Sequence, residues 1–122
     1  MPYDIRVVPG RDFLRLDANG RVNLDQSRQI LSDIARECAA SGTTRILLDT
    51  RQAESTMTEK DLYLLASAFG ELGFQYHHRL AILHRPMNFD RAEFFAMCAR
   101  TRGWQVDAFG SFEDAFNWLN EA

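Results

Sequence analysis

The chain has 122 residues, of which 46% are hydrophobic and 25% are charged, which is typical of one folded globular domain rather than a disordered chain. Its net charge of −3, with acidic and basic residues mixed along the sequence, argues against the basic surface of nucleic-acid-binding proteins. No apolar run reaches the roughly 18 residues that a membrane-spanning helix needs, so we expect residues 1–122 to form a single domain without a membrane span.

The N-terminal segment and the two cysteines indicate the cellular compartment. The sequence MPYDIRVV lacks the basic and apolar regions of a secretion signal, which favours a cytoplasmic protein. Cys38 and Cys98 each lie in an apolar helical pattern, without the CxxC or Cys/His spacing of a zinc site. We therefore expect two buried free thiols and no bound metal or cofactor.

Hydrophobic periodicity divides the chain into nine elements, which alternate between strand-like and helix-like patterns after an N-terminal hairpin. In chain order they are a strand at 3–8, a turn at 9–12 and a strand at 13–17, a helix from 24 up to Gly42, a strand at 45–49, a helix from 59 up to Gly73, a strand at 79–84, a helix at 89–102, a strand at 104–109, and a helix from Ser111 onward. The order β-β-α-β-α-β-α-β-α predicts an α/β fold. Its sheet is mixed and mostly parallel, with about five strands and four helices.

Polar side chains follow the predicted parallel strands, at the edge of the sheet where ligands of α/β proteins usually bind. The candidates there are Asp49, Arg51, His84 and Arg85, and the arginines together with helix N-termini suit a small anion. Polar residues occupy this edge in every α/β domain, so a surface without a ligand is the alternative interpretation.

Catalysis is a further alternative at the same edge. Asp49 and His84 could form the acid and base of a hydrolase, although the sequence has no GxSxG, GxxxxGK[ST], GxGxxG or HExxH motif. A histidine that ends an apolar strand is more often bonded to a backbone carbonyl, and we expect that role for His84.

The segment LLDTRQAESTMTEKDLY, residues 47–63, joins the third strand to the second helix. Thr58 is the predicted N-cap of this helix, with Asp61 returning the hydrogen bond and with Met57 and Leu62 forming a hydrophobic staple. The cap alone accounts for the threonine. The same exposed hydroxyl is also placed for phosphorylation, because a phosphate there would gain the helix dipole and the first-turn amides.

Three stretches resemble the bacterial SpoIIAA-like proteins, and the order of elements resembles the related STAS domain, the fold of the anti-sigma factor antagonists. The stretches are RILLDTRQAESTMTEKD, RLAILHRP and ARTRGWQVDAFGSFEDAFNWL. In regulatory STAS proteins, a partner kinase phosphorylates the serine of an Asp-Ser pair about nine residues after the strand aspartate. The matching position after Asp49 is Thr58, but Met57 replaces the acidic residue and the following glycine is missing.

The resemblance implies a non-enzymatic regulatory or binding module that acts through an unidentified protein partner. We expect the contact to involve the loop and helix after the third strand, with Ser55, Thr58 and exposed apolar area from Met57, Tyr63 and Leu64. The sequence leaves open whether the chain also forms a homodimer.

The alternative is a carrier or sensor of a small apolar or anionic, lipid-like ligand. The SpoIIAA-like fold is related to a lipid-carrying one, and nine phenylalanines are many for this length. The phenylalanines that would line a ligand cavity between the helices are Phe89, Phe94, Phe95 and Phe116.

Overall fold

The computed structural model describes residues 3–8 and 13–121, with side chains from residue 13 onward. The predicted turn at 9–12 lies outside the described residues. The strands are β1 Tyr3–Val8, β2 Phe13–Val22, β3 Arg45–Ser55, β4 Arg79–Leu83 and β5 Gln105–Phe109. The helices are α1 Leu24–Ser41, α2 Glu59–Ser67, α3 Phe69–Leu72, α4 Phe89–Arg100 and α5 Phe112–Leu119, with a 3-10 turn at Pro86–Asn88 before α4.

The five strands form one sheet in the order β1-β2-β3-β4-β5. β1 is antiparallel to β2, whereas β2, β3, β4 and β5 are parallel to one another. The predicted α/β fold with a mixed, mostly parallel sheet is therefore confirmed.

The strand order determines which face of the sheet each helix covers. Crossovers between parallel strands are right-handed almost without exception, and here each successive crossover moves to the next strand in the same direction. The connecting helices α1, α2, α3 and α4 consequently pack on one face, which we call the four-helix face. α5 follows the last strand and packs against β3, β4 and β5 from the opposite face, which we call the α5 face.

Each face has its own apolar core. On the four-helix face, the buried Phe69 ring stacks on Phe74 and makes edge contacts with Phe95 and Trp104. The smaller core on the α5 face consists of Phe13, Leu47, Ala81, Leu83, Ala115 and Leu119. Because side chains alternate along a strand, neighbouring residues of β3 and β4 contribute to different cores.

β2 and β3 are longer than the sequence predicts. The polar residues after their apolar runs pair with each other, Asn19 with Gln52 and Val22 with Ser55, after a register shift just before Asn19. Gly20 has a φ of 72° in this paired segment, a conformation that glycine adopts without steric cost. The predicted loops at residues 19–20 and 50–55 are therefore strand.

The predicted second helix is two helices, so the fold has five helices instead of four. The chain leaves α2 at Ala68 and continues as the four-residue α3, which ends at Gly73 with a φ of 108°. The predicted stop at Gly73 is confirmed. α1 begins with a capping box formed by Asn23 and Gln26.

Candidate functional site

Thr58 caps α2 in the predicted geometry. Its Oγ1 accepts a hydrogen bond from the Asp61 amide at 3.2 Å, and Asp61 Oδ2 accepts one from the Thr58 amide at 3.1 Å. The threonine is exposed, whereas Met57 and Leu62 on either side of the cap are 7% and 5% exposed. The predicted exposure of Met57 is wrong, because the hydrophobic staple places its side chain in the core.

Two adjacent apolar side chains are exposed on α2, one turn after the cap. Tyr63 is 48% and Leu64 is 41% exposed. The guanidinium carbon of Arg102 lies 4.6 Å from the centre of the Tyr63 ring, a cation–π contact that restricts the ring. We call Thr58, Tyr63 and Leu64 the α2 surface.

An arginine of α4 holds the loop before α2. Arg91 Nη1 donates a hydrogen bond to the Met57 carbonyl and lies 3.5 Å from the Ser55 carbonyl. Ser55 Oγ accepts a hydrogen bond from the Met57 amide at 3.1 Å. The guanidinium group therefore ties α4 to the segment that leads into the α2 surface.

Asp49 is bound by two arginines on the α5 face. Its carboxylate accepts hydrogen bonds from Arg51 Nη2 at 2.8 Å, from Arg51 Nε and the Arg51 amide at 3.0 Å, and from Arg15 Nη2 at 2.9 Å. Arg15 Nε also donates to Asp17 at 2.9 Å. We call these four residues the arginine cluster.

Opposing effects determine the pKa of Asp49. Burial alone would raise the pKa, but the hydrogen bonds from Arg51 and the charges of Arg51 and Arg15 outweigh it, so the pKa lies below its usual value. The hydrogen bond with Asp49 raises the pKa of Arg51 in return. The two guanidinium groups face two carboxylates, which disfavours the predicted binding of an anion by Arg51.

The four-helix face contains a cavity of about 110 Å³ at the carboxyl ends of β2, β3 and β4. α1, α2 and α4 cover it, and its wall is almost entirely apolar. The wall includes Val22, Ile30, Leu48, Leu65 and Phe95. The site residues Ser55, Met57 and His84 also line this cavity.

His84 is 4% exposed and lines the cavity. Its Nδ1 lies 2.8 Å from the Arg85 carbonyl, which can only accept, so Nδ1 carries a hydrogen, and Nε2 is an acceptor whenever it carries none. The predicted bond of this histidine to a backbone carbonyl is confirmed. Arg85 Nη2 donates to the Ala53 carbonyl at 3.1 Å, and Arg85 Nε is buried without a hydrogen-bond partner among residues 13–121.

The predicted site residues therefore lie in three places. Asp49 and Arg51 belong to the arginine cluster, whereas His84, Ser55 and Met57 line the cavity on the opposite face of the sheet. Thr58 and Tyr63 lie on the α2 surface. The proposed acid–base pair of Asp49 and His84 is not brought together.

The four phenylalanines of the ligand-carrier hypothesis do not form one lining. Phe95 lines the cavity, but Phe89 is 53% exposed. Phe94 packs at the edge of the core on the four-helix face, and Phe116 contacts Phe13 on the α5 face. That part of the hypothesis is wrong, because residues three or four apart on a helix share a face and adjacent ones do not.

Sequence reasoning missed several functional candidates. Ser27 lines the cavity, Arg15 holds Asp49, and Arg91 holds the loop before α2. A signal for Ser27 existed, since a serine stands in the apolar stripe of the first predicted helix. The contacts of Arg15 and Arg91 depend on strand pairing and helix packing, which no local pattern encodes.

The two cysteines are buried and free, as predicted. Burial, together with the charge of Glu37, raises the pKa of the Cys38 thiol to about 11, so this thiol is uncharged at neutral pH. Residues 13–121 contain no group of three or more histidine, cysteine, aspartate or glutamate side chains that could hold a metal ion. Within the described chain, no helix combines the length and the apolar character that crossing a bilayer requires.

No family model and no curated protein sequence matches the chain. Among solved structures it is similar to the anti-sigma factor antagonist SpoIIAA in its unphosphorylated form, with 16% identity, a TM-score of 0.58, and coverage of 98% of this chain and 99% of that chain. It is also similar to an anti-sigma factor antagonist from Mycobacterium paratuberculosis, with 13% identity, a TM-score of 0.63, and coverage of 98% and 95%.

A third similar structure is a protein of the DUF3478 family from Shewanella loihica, described as having a SpoIIAA-like fold. It is 19% identical, with a TM-score of 0.59 and coverage of 96% of this chain and 93% of that chain. At these identities the similarity concerns the fold. The chain has the SpoIIAA-like, STAS-type fold that the sequence predicted.

Proposed function

We propose that this SpoIIAA-like domain is a non-enzymatic regulatory module that binds a protein partner through the α2 surface. The observation that carries the proposal is the exposure of two adjacent large apolar side chains, Tyr63 and Leu64, beside an exposed capping hydroxyl. Two of the similar solved structures are anti-sigma factor antagonists, which supports a regulatory role. The two buried free thiols suit a reducing compartment, so we place the module in the cytoplasm.

The α2 surface has the physical properties of a binding hot spot. Tyrosine and arginine are enriched among the residues that dominate interface energies. The contact with Arg102 already restricts the Tyr63 ring, so less conformational entropy is lost when a partner covers it. Leu64 adds apolar area that a partner can remove from water.

The charged side chains around the α2 surface indicate the kind of partner. The segment from Glu54 to Asp61 carries three carboxylates, including Glu59, and one ammonium group, that of Lys60. A partner with a basic rim around an apolar centre would complement this surface and would associate faster at low ionic strength.

Thr58 is the proposed phosphoacceptor of the module. SpoIIAA has been solved in an unphosphorylated and a phosphorylated form, which supports a modification within this fold. A phosphate on the Thr58 hydroxyl would accept hydrogen bonds from first-turn amides of α2 and would add nearly two negative charges. The carboxylates of Glu59 and Asp61 would repel it, so the proposed modification would weaken the cap while it changes the charge seen by a partner.

Affinity capture with the full chain tests the partner site. We expect the substitutions Tyr63→Ala and Leu64→Ala together to abolish the capture of a protein that the unmodified chain retains from cells. Phe112→Ala is the matched control, because it removes an aromatic ring of similar exposure from α5. Equal loss with both variants, or no loss with either, would contradict the assignment of the α2 surface, provided that circular dichroism shows both variants folded.

Intact-mass and phosphopeptide analysis of protein purified from its native cells tests the phosphoacceptor. We expect a phosphorylated fraction whose phosphopeptide maps to Thr58 and disappears in Thr58→Ala. Thr56→Ala is the control, because Thr56 is an exposed threonine two residues earlier. If a phosphate persists in Thr58→Ala, or if no phosphorylated fraction is found, Thr58 is not the phosphoacceptor. Neither result would contradict the proposed partner site.

A further inference from the structure

We propose that the cavity on the four-helix face binds a compact, uncharged, mostly apolar molecule that carries one hydroxyl group. This inference goes beyond the proposed partner contact, because the cavity wall and the exposed α2 surface are formed by different side chains. Three features of the cavity determine the class of ligand: its volume, its two polar side chains, and the almost entirely apolar character of the rest of its wall.

The volume limits the size of the ligand. The cavity measures about 110 Å³ and its wall is almost entirely apolar. An engineered apolar cavity of about 150 Å³ binds benzene, so a molecule of about six or seven non-hydrogen atoms is near the upper limit here. A long acyl chain does not fit, which argues against the lipid-like ligand of the carrier hypothesis.

Two buried polar side chains line this apolar wall. Ser27 of α1 is 8% exposed, and its hydroxyl makes no hydrogen bond among residues 13–121. His84 is more buried still, and its Nε2 has no hydrogen-bond partner in the same part of the chain. Neither polar atom is fully enclosed by the protein, since Arg85 Nε is the buried side-chain atom without a partner in the described chain, so a molecule in the cavity can reach both and pair with them.

A hydroxyl group matches both side chains. It can donate a hydrogen bond to the lone pair of His84 Nε2, since the hydrogen of this ring is on Nδ1. It can also accept one from the Ser27 hydroxyl. A purely apolar ligand would leave both side chains without partners.

The charges of the wall disfavour an ionised ligand. Aspartate, glutamate and lysine are absent from the described residues that line the cavity, and the lining arginine is Arg91. Its Nη1 already donates to the Met57 carbonyl. Arg91 keeps its positive charge, because a carbonyl does not neutralise it, but a carboxylate would lose its hydration against a wall that is otherwise almost entirely apolar, so the wall favours an uncharged ligand.

Titration of the full chain with phenol, benzene and benzoate, followed by amide chemical shifts, tests the proposal. We expect phenol to bind saturably, to bind more tightly than benzoate, and to shift amides of residues that line the cavity. His84→Phe keeps an aromatic ring but removes the acceptor. We expect it to lower the ratio of phenol affinity to benzene affinity about tenfold, because the phenol hydroxyl is then left unpaired.

A matched pair of leucine substitutions locates the binding. Ala92→Leu places a larger side chain in the cavity wall and should abolish the binding of phenol and benzene. Ala39→Leu makes the same change at an exposed position of α1 and should leave both affinities unchanged. Ser27→Ala, which removes the donor with little risk to folding, should weaken phenol binding severalfold and leave benzene unaffected.

Several results would overturn the proposal. If neither phenol nor benzene binds to the unmodified chain, the cavity holds water alone. If the ratio of phenol affinity to benzene affinity is unchanged in His84→Phe, the cavity does not recognise a hydroxyl group. Ser27→Ala gives the same test if His84→Phe does not fold. Undiminished phenol binding in Ala92→Leu would place phenol outside the cavity.

Discussion

The two faces of the sheet both carry buried polar side chains near the carboxyl ends of β2 and β3, but the chemistry of these side chains differs. On the α5 face, the carboxylate of Asp49 is bound by Arg15 and Arg51, so that charges of opposite sign neutralise one another. On the four-helix face, the hydroxyl of Ser27 and the Nε2 of His84 line an apolar cavity without partners among residues 13–121.

The difference follows from the number of helices that each face receives. The short helix α5 covers β3, β4 and β5, and charged side chains of β2 and β3 pair with one another on the same face. The crossover helices on the other face meet above the strand ends and leave a gap among their apolar side chains. A polar residue at the sheet edge therefore stabilises the fold on the α5 face, whereas on the four-helix face it is available to the proposed ligand.

The largest predicted effect concerns the arginine cluster. Asp49→Asn keeps the shape of the side chain but leaves Arg15 and Arg51 without their shared carboxylate. We expect the free energy of unfolding at pH 7 to fall by about 2 to 3 kcal/mol, since the aspartate is mostly buried and its arginines are only partly so. Urea denaturation measures this change, and Glu54→Gln, which removes an exposed carboxylate, is the control.

The same variant has a distinct dependence on pH. Because the folded pKa of Asp49 lies below its usual value of 3.8, its contribution is present above that value and is lost as the pH falls through the folded pKa. The difference in unfolding free energy between the unmodified chain and Asp49→Asn should therefore shrink in acid. If this difference stays constant from pH 7 to pH 3, the ionised carboxylate of Asp49 does not stabilise the α5 face.

A smaller effect is predicted for the cap beside the cavity. Thr58→Ala removes the hydroxyl that accepts the Asp61 amide, and we expect a loss of about 1 kcal/mol in unfolding free energy. Hydrogen exchange should show the loss concentrated in the first turn of α2. Thr56→Ala is the control, because its hydroxyl donates to the Val22 carbonyl at 3.3 Å outside the helix, and an equal loss of protection in the first turn of α2 with both variants would contradict the capping role.

The smallest predicted effect has the opposite sign. Ser27→Ala removes a buried hydroxyl that makes no hydrogen bond among residues 13–121 and replaces it with the best helix former. We expect the free energy of unfolding to rise by about 0.5 kcal/mol in urea denaturation. A loss of more than about 1 kcal/mol would mean that the hydroxyl has a structural partner, and the contrast between the two faces would then disappear.

Much of the fold could be predicted from the sequence because its signals are local. The capping box at Thr58, the glycine stop at Gly42 and the apolar strand at 45–49 are all found where the sequence placed them. The extension of β3 to Ser55 could not be predicted, because its polar residues are held by backbone pairing with β2. Strand pairing over such distances leaves no periodic pattern in either segment.

The sequence predicted the edge of the sheet at which the candidate site residues lie, but it did not predict on which face of the sheet each of them lies. Asp49 and His84 both end apolar runs, and nothing in those runs tells which side chain points to which face once the strands pair. The burial of Met57 followed from the staple, yet the partner hypothesis required its exposure. Arg91 is separated from Met57 by 34 positions, and packing of α4 alone brings the two together.

The buried Met57 connects the two proposed sites directly along the chain. Its side chain is part of the cavity wall, and its peptide bond leads directly into Thr58. Linkage then requires reciprocity: if a modification of Thr58 changes the affinity of the cavity by some factor, the ligand changes the equilibrium of the modification by the same factor. A cell could therefore read the concentration of a small neutral metabolite as the fraction of the domain that is free to meet its partner.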